Sequence, residues 1–251
     1  MQTSDSIVII PTYNEIENIR NIIEAVLGLE KQFDILIIDD GSPDGTADEV
    51  KRLMEVHPGR VNLIQREGKL GLGTAYIRGF KWAIAHKYDF VFEMDADFSH
   101  KPSDLPRLYK ACATDGYDMA IGSRYVSGVN VVNWPMGRVL MSYYASRYVR
   151  LVTGVPIHDT TAGFVCYRRQ VLETIDLDHI RFKGYAFQIE MKFTAYKCGC
   201  RIKEVPVIFV NRTKGTSKMS GGIFGEAFFG VMELRLKSLF RKFPVYKRED
   251  A

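Results

Sequence analysis

The first half of the chain alternates between two hydrophobic patterns. Short, largely apolar runs occur at 7–10 (IVII), 34–38 (DILII), 61–65 (VNLIQ), 90–94 (FVFEM) and 118–122 (DMAIG). Runs of that length predict buried strands. Between them the apolar positions fall at helical spacing. Ile16, Ile19, Ile22, Ile23, Val26 and Leu27 share one face of a helix over 15–29. Val50, Leu53 and Met54 follow Thr46, a candidate cap; a helix is expected over 73–87, and another over 104–113 with Ser103 as its cap. Strand–helix alternation of this kind predicts an α/β fold, with a mostly parallel sheet covered by helices.

Beyond residue 125 the alternation weakens. An aromatic and basic helix is expected over 135–153, a strand at 163–167, a helix over 186–198 and a strand at 202–210. The polar loop 211–222 then precedes a final helix reaching about residue 243. No repeat or linker interrupts this. The expected organisation is one catalytic unit over 1–220 with an appended amphipathic helix in 221–251.

Composition narrows the class. A 251-residue chain can bury a sizeable core. Its net charge of +4 is too mild to point to nucleic acid. Cys112, Cys166, Cys198 and Cys200 form no C-x-x-C pair, so neither a zinc site nor a disulfide framework is expected. The N-terminus does not read as a signal peptide. The most apolar stretch, 221–240, carries Glu226, Glu233, Arg235 and Lys237, so any membrane contact is expected to be peripheral.

In open parallel sheets ligands bind beyond the carboxyl ends of the strands. Glu15 follows the first strand here, Asp39, Asp40 and Asp44 the second, Asp95 and Asp97 the fourth, and Arg124 the fifth. One Asp after a strand is ordinarily a turn residue, and Asp44 in SPDGT is read that way. Several acidic clusters at successive strand ends collect repulsion with no structural gain. A divalent cation relieves it, because Mg²⁺ or Mn²⁺ takes oxygen ligands from one or two carboxylates plus substrate phosphates. Gly71-x-Gly73 lacks the dinucleotide fingerprint and reads as a tight turn or a phosphate contact. His100, beside the acidic pair, reads as a surface residue. Arg212 and Lys218 lie in a Gly/Ser/Thr-rich loop of the kind that closes over an anionic substrate.

The motifs PTYNE, IDDGSPDGT, GLGTAY, DADFSH, GSRY, DTTAGF and EVPVIFVNR…SK, in this order between about residues 7 and 220, resemble family 2 glycosyltransferases. The branch they are most similar to is that of the dolichol-phosphate (polyprenol-phosphate) mannosyltransferases. The resemblance implies a Rossmann-like GT-A fold. It also implies inverting transfer of mannose from GDP-mannose to a polyprenyl phosphate with Mg²⁺ or Mn²⁺. Pro11, Tyr13, Glu15, Ile38 and Asp40 would then line the guanosine pocket. Asp95, Ala96 and Asp97 would meet the diphosphate, with Asp95, Asp97 and Ser99 at the metal positions. Arg124, Lys183, Arg212 and Lys218 would contact the donor, while Arg138 and Ser142, with Arg124, would hold the acceptor phosphate.

A phosphate monoester has a second pKa of about 6, so the nucleophile is ionised at neutral pH and needs no general base. No Ser–His or His–Asp pairing is apparent. A UDP-glucose or UDP-N-acetylglucosamine donor, or a non-catalytic sugar-nucleotide-binding role, are the alternatives. A lipid acceptor places the expected location in the cytoplasm, peripherally on the cytosolic face of a membrane. Phe228, Met232, Leu236, Leu239, Phe240 and Phe243, beside Arg235, Lys237, Arg241 and Lys242, form a stripe that suits a bilayer surface or the protein's own core equally. The aromatic-rich 134–151 region is a second candidate contact.

Overall fold

A computed structural model describes residues 4–184, 186–211 and 223–248. The five expected strands are all present: β1 (Ser6–Thr12), β2 (Asp34–Asp39), β3 (Val61–Gln65), β4 (Phe90–Glu93) and β5 (Met119–Ser123). The helices between them are α1 (Ile19–Leu27), α2 (Thr46–Val56), α3 (Leu72–Ala85) and α4 (Leu105–Ala113). A two-residue strand β6 (Val131–Val132) then leads into α5 (Met136–Thr153). The second half continues with β7 (Val165–Arg168), α6 (Arg169–Thr174), α7 (Ala186–Lys197), β8 (Ile202–Pro206), β9 (Phe209–Val210) and α8 (Ile223–Ser238).

The main sheet has the order β3-β2-β1-β4-β7-β5-β8, and β7 runs antiparallel to both its neighbours. Successive residues of a strand point to opposite faces. Ile7, Ile9, Leu36 and Ile38 accordingly join one core layer with α3, α6 and α7. Val8, Ile10, Ile35 and Ile37 join the other with α1, α2 and α4. Burial on both faces explains the apolar runs of β1, β2, β4 and β5, while the edge strand β3 is partly exposed and carries Asn62 and Gln65.

Three expectations are corrected. The strand expected at 202–210 is two strands: β8 stays in the main sheet, while β9 pairs with β6 in a small separate one. Of the two expected caps, Ser103 lies inside a 3₁₀ turn over Pro102–Asp104 that leads into α4, with Asp104 at the cap position, and Thr46 is the first residue of α2. Its backbone N–H and hydroxyl both donate to Asp44 Oδ1, at 3.0 and 2.6 Å, so the turn role read for Asp44 includes holding the helix start. The last helix ends at Ser238, not near 243. Pro244 disfavours helix at the residue before it, and the chain turns back onto the body. Phe243 meets Phe193 edge-on at 6.2 Å, the Tyr246 N–H donates to Cys198 O at 2.8 Å, and Arg248 reaches buried Asp118 at 2.8 Å.

Candidate active site

A cleft of about 900 Å³ opens where β1, β4 and β5 end, between the sheet and α5, α7 and α8. Its acidic wall is the turn after β4. Phe98 adopts a left-handed backbone (φ 59°), which reverses the chain directly after the acidic pair. Asp97 is buried, and its Oδ1 accepts the Ser99 N–H at 3.0 Å. Asp95 lines the cleft with its side chain 41% exposed. The Asp95 N–H donates to His100 Nδ1 at 3.3 Å.

His100 is not the surface residue expected from sequence. It is buried, stacked on Phe164 at 4.9 Å and met edge-on by Phe209. Burial pushes its pKa down to about 4, against the pull of Asp97, so the ring is neutral and its Nδ1 serves as an acceptor.

The donor set suits a hard divalent cation completed by substrate. Among the described residues no three His, Cys, Asp or Glu side chains converge as a ready-made metal cage. What the turn offers is two carboxylates and the Ser99 hydroxyl, which is buried and unpartnered among the described residues. Two carboxylates plus phosphate oxygens is how Mg²⁺ and Mn²⁺ sites are commonly built.

Beneath this wall lies a buried polar bridge that sequence reasoning missed. Glu93, the last residue of β4, accepts from Tyr167 Oη at 3.1 Å and from Gln188 Nε2 of α7. Lys192, one helical turn on, donates to Gln188 Oε1 at 3.0 Å and to Ala162 O at 2.6 Å. Both charged groups are almost wholly out of water. Burial raises the Glu93 carboxyl to about 7 and lowers the Lys192 ammonium to about 8, each partly opposed by the other's charge. A glutamate inside FVFEM and a lysine four residues after a glutamine in α7 were the available signals.

The cationic wall is equally built. Arg124 follows β5 and is gripped by fully buried Asp159 through Nε–Oδ2 at 2.7 Å and Nη2–Oδ1 at 2.6 Å, with Thr161 Oγ1 at 2.8 Å. A two-pronged pair of this kind fixes the guanidinium plane. Arg124 holds the Asp159 carboxyl below its ordinary range against the opposing effect of burial. Arg138, in the first turn of α5, lies 4.0 Å over Trp134 and donates to Asn211 Oδ1 at 3.2 Å. Ser142 follows one turn later on the same cleft wall.

Pro11, Tyr13, Glu15 and Asp40 line the far end. Lys69 sits 4.3 Å over the Tyr13 ring. Glu15 Oε2 accepts from Asn18 at 3.0 Å, and Asp40 is held by Arg66 Nε at 2.6 Å. Burial pushes the Asp40 carboxyl up, and Arg66 opposes it.

Ala96 and Ser99 also reach the cleft, but Ile38 does not: its side chain is wholly inside the core. Lys183 is exposed beside the cleft rather than lining it. Its carbonyl accepts the Gly73 N–H at 2.8 Å. Gly71, at φ +99°, leaves only 3.0 Å between an added Cβ and the Lys183 side chain, so the tight-turn reading of this glycine stands. Arg212 and Lys218 lie outside the described residues.

The family model described as glycosyl transferase family 2 matches residues 7–176. The chain is 48% identical over 231 residues to a polyprenol monophosphomannose synthase of Mycolicibacterium smegmatis, covering 92% of this chain and 87% of that one. It is 47% identical to an undecaprenyl-phosphate mannosyltransferase of Micrococcus luteus, covering 89% and 90%. Among solved structures, glucosyl-3-phosphoglycerate synthase from Mycobacterium tuberculosis with Mn²⁺ and UDP superposes at TM-score 0.65 and 18% identity, over 92% of this chain and 79% of that one. A mannosyltransferase from Pyrobaculum calidifontis with GDP-Man and Mn²⁺ superposes at 0.59 and 19% identity, over 96% and 66%. These two likenesses concern the fold. The family match over most of the chain, and nearly half-identical relatives along almost its whole length, make the assignment plain: this chain is a glycosyltransferase and belongs to glycosyl transferase family 2.

Proposed function

We propose that the chain transfers mannose from GDP-mannose to a polyprenyl phosphate, with inversion at the anomeric carbon. The observation that carries this reading is the near-half identity, along almost the full chain, to two enzymes named for mannosyl transfer to polyprenyl phosphates. The cleft supports it chemically. One end offers an aromatic ring and carboxylates for a base and ribose, the middle offers Asp95 and Asp97, and the other end offers Arg124, Arg138 and Ser142 for a phosphate.

In the reaction an acceptor phosphate oxygen attacks the anomeric carbon as the bond from that carbon to the diphosphate oxygen breaks. The electron pair leaves with GDP, and no proton need be removed from the nucleophile. Arg138 and Ser142 orient the acceptor phosphate, and Arg124 presents a fixed positive charge to the reacting phosphates. Asp95 and Asp97, with Ser99 beside them, would hold the Mg²⁺ or Mn²⁺. Such an ion, when bound, would supply charge neutralisation at the leaving diphosphate.

The acceptor's lipid tail needs an apolar exit. Met141, Tyr144, Tyr148 and Phe228 line the cleft between α5 and α8, where Tyr148 stacks on Phe228 at 4.6 Å. On α5 Met136, Leu140 and Leu151, and on or just after α8 Phe229, Leu236 and Phe240, are exposed. This fits peripheral attachment to the cytosolic face of a membrane, and co-sedimentation with anionic vesicles at low and high salt tests it. No helix among the described residues is long and apolar enough to cross a membrane.

A panel of labelled sugar nucleotides offered with polyprenyl phosphate tests the donor. GDP-mannose is expected to carry label into the lipid phase. Label entering from UDP-glucose or UDP-N-acetylglucosamine instead overturns the donor assignment.

Arg138→Ala tests the acceptor end. Loss of a charge-assisted contact to phosphate costs on the order of 1.5–3 kcal/mol. The KM for the lipid phosphate should therefore rise about ten- to hundredfold, with the donor KM little changed. A shift confined to the donor KM would move Arg138 to the nucleotide site.

A further inference from the structure

Tyr76 is one of the largest wholly buried side chains, yet it lines the cleft. Its ring is clamped in an aromatic stack, parallel to Phe187 at 6.0 Å and near-parallel to Phe80 at 6.1 Å. The segment holding Phe187 is tightly packed, because a Cβ on Gly73 would already lie 2.8 Å from that ring. The phenol oxygen is therefore fixed in place. It has no hydrogen-bond partner among the described residues. Buried hydroxyls are nearly always satisfied, so one that is fixed and unpaired, on a residue that lines the cleft, points to a ligand.

The surroundings of the hydroxyl indicate which part of a ligand. The ionisable groups whose charge it feels are Glu93, Asp95 and Asp97, all acidic. The base end of the cleft, at Tyr13, Glu15 and Asp40, and the acceptor end, at Arg138 and Ser142, carry their own partners. Between them stand the diphosphate and the sugar. The diphosphate belongs with the cation that Asp95 and Asp97 would hold. A hexose is neutral, and its hydroxyls both donate and accept, so they suit a phenol with no partner among the described residues.

We infer that the Tyr76 hydroxyl hydrogen-bonds a hydroxyl of the transferred hexose and helps select it. This rests on the nucleotide-sugar reading above. A site built to bond one sugar hydroxyl discriminates against an analogue lacking it, because its own polar group is then left unpaired.

Tyr76→Phe keeps the aromatic stack and removes only the hydroxyl. The experiment measures binding of GDP-mannose and of GDP to wild type and variant by calorimetry with Mn²⁺ present, together with melting temperature and turnover. Melting temperature and GDP affinity are expected to be unchanged. GDP-mannose affinity and kcat/KM are expected to fall, kcat/KM by about ten- to hundredfold for a lost neutral contact at a buried site. In a series of deoxymannose donors, the gap between wild type and variant should close for the one lacking the contacted hydroxyl. Equal weakening toward GDP would assign the hydroxyl to the diphosphate and overturn the inference. So would a large fall in melting temperature, or identical behaviour toward GDP-mannose. Wild-type protein that binds neither nucleotide would instead defeat the nucleotide-sugar reading itself.

Discussion

Asp97→Asn is expected to lower kcat by on the order of 10²–10³-fold or more, the scale seen when one stabilising group is taken from a developing charge. The change is nearly isosteric. The amide that replaces the carboxylate keeps a side-chain carbonyl, so the acceptor of the Ser99 N–H at 3.0 Å survives and the turn holds. What disappears is one of the two negative charges available to a divalent cation. The melting temperature should stay within a few degrees of wild type. Raising Mn²⁺ should restore part of the lost rate, because the defect is one of metal affinity. A variant with near wild-type turnover at low metal would remove Asp97 from the metal site.

Lys192→Met is expected to destabilise the protein by about 3–5 kcal/mol, the usual cost of stranding one partner of a buried charge pair. For a domain of this size that corresponds to a fall of about 6–20 °C in melting temperature. Lys192 is 1% exposed, and its ammonium ties three elements together: Gln188 of α7, Ala162 of the segment that carries Asp159, and, through Gln188, Glu93 of β4. Without it Glu93 is left in the core against Tyr167 and Gln188 alone. The double variant Glu93→Gln, Lys192→Met carries no buried charge at this bridge and should recover a large part of the loss. A thermal melt of both variants decides the matter. A single variant that melts within about two degrees of wild type would mean that Lys192 carries little of the bridge.

Much of the fold is legible in the sequence because most of its strands are buried on both faces. Such strands announce themselves as apolar runs, and β1, β2, β4 and β5 follow from them; β3, a partly exposed edge strand, follows from its place in the alternation. The place of β7, antiparallel between β4 and β5, is not legible. Strand order depends on pairing across the chain, such as Glu93 with Val165, which leaves no local mark. The end of α8 does carry a signal. The apolar stripe continues through Phe240 and Phe243, but Pro244 opposes the helix that would use it.

The candidate site divides in the same way. Asp95 and Asp97 stand out because adjacent carboxylates at a strand end need a reason. The burial of His100 is hidden because it is supplied by Phe164 and Phe209, distant in sequence. Glu93 passes as an ordinary polar residue because its partners Tyr167 and Gln188 lie 74 and 95 residues away in the chain, and Lys192 because Ala162 lies 30 residues before it.

The central claim is mannosyl transfer to a lipid phosphate through this cleft. Purified protein, Mn²⁺, GDP-mannose labelled in the mannose and a short polyprenyl phosphate test it most directly, with the label followed into the organic phase and the anomeric configuration of the product read by NMR. The expected product is an organic-soluble mannosyl phosphate whose anomeric configuration is opposite to that of the donor, formed by wild type and not by Asp97→Asn. Label that stays in water, or a product of retained configuration, would contradict it.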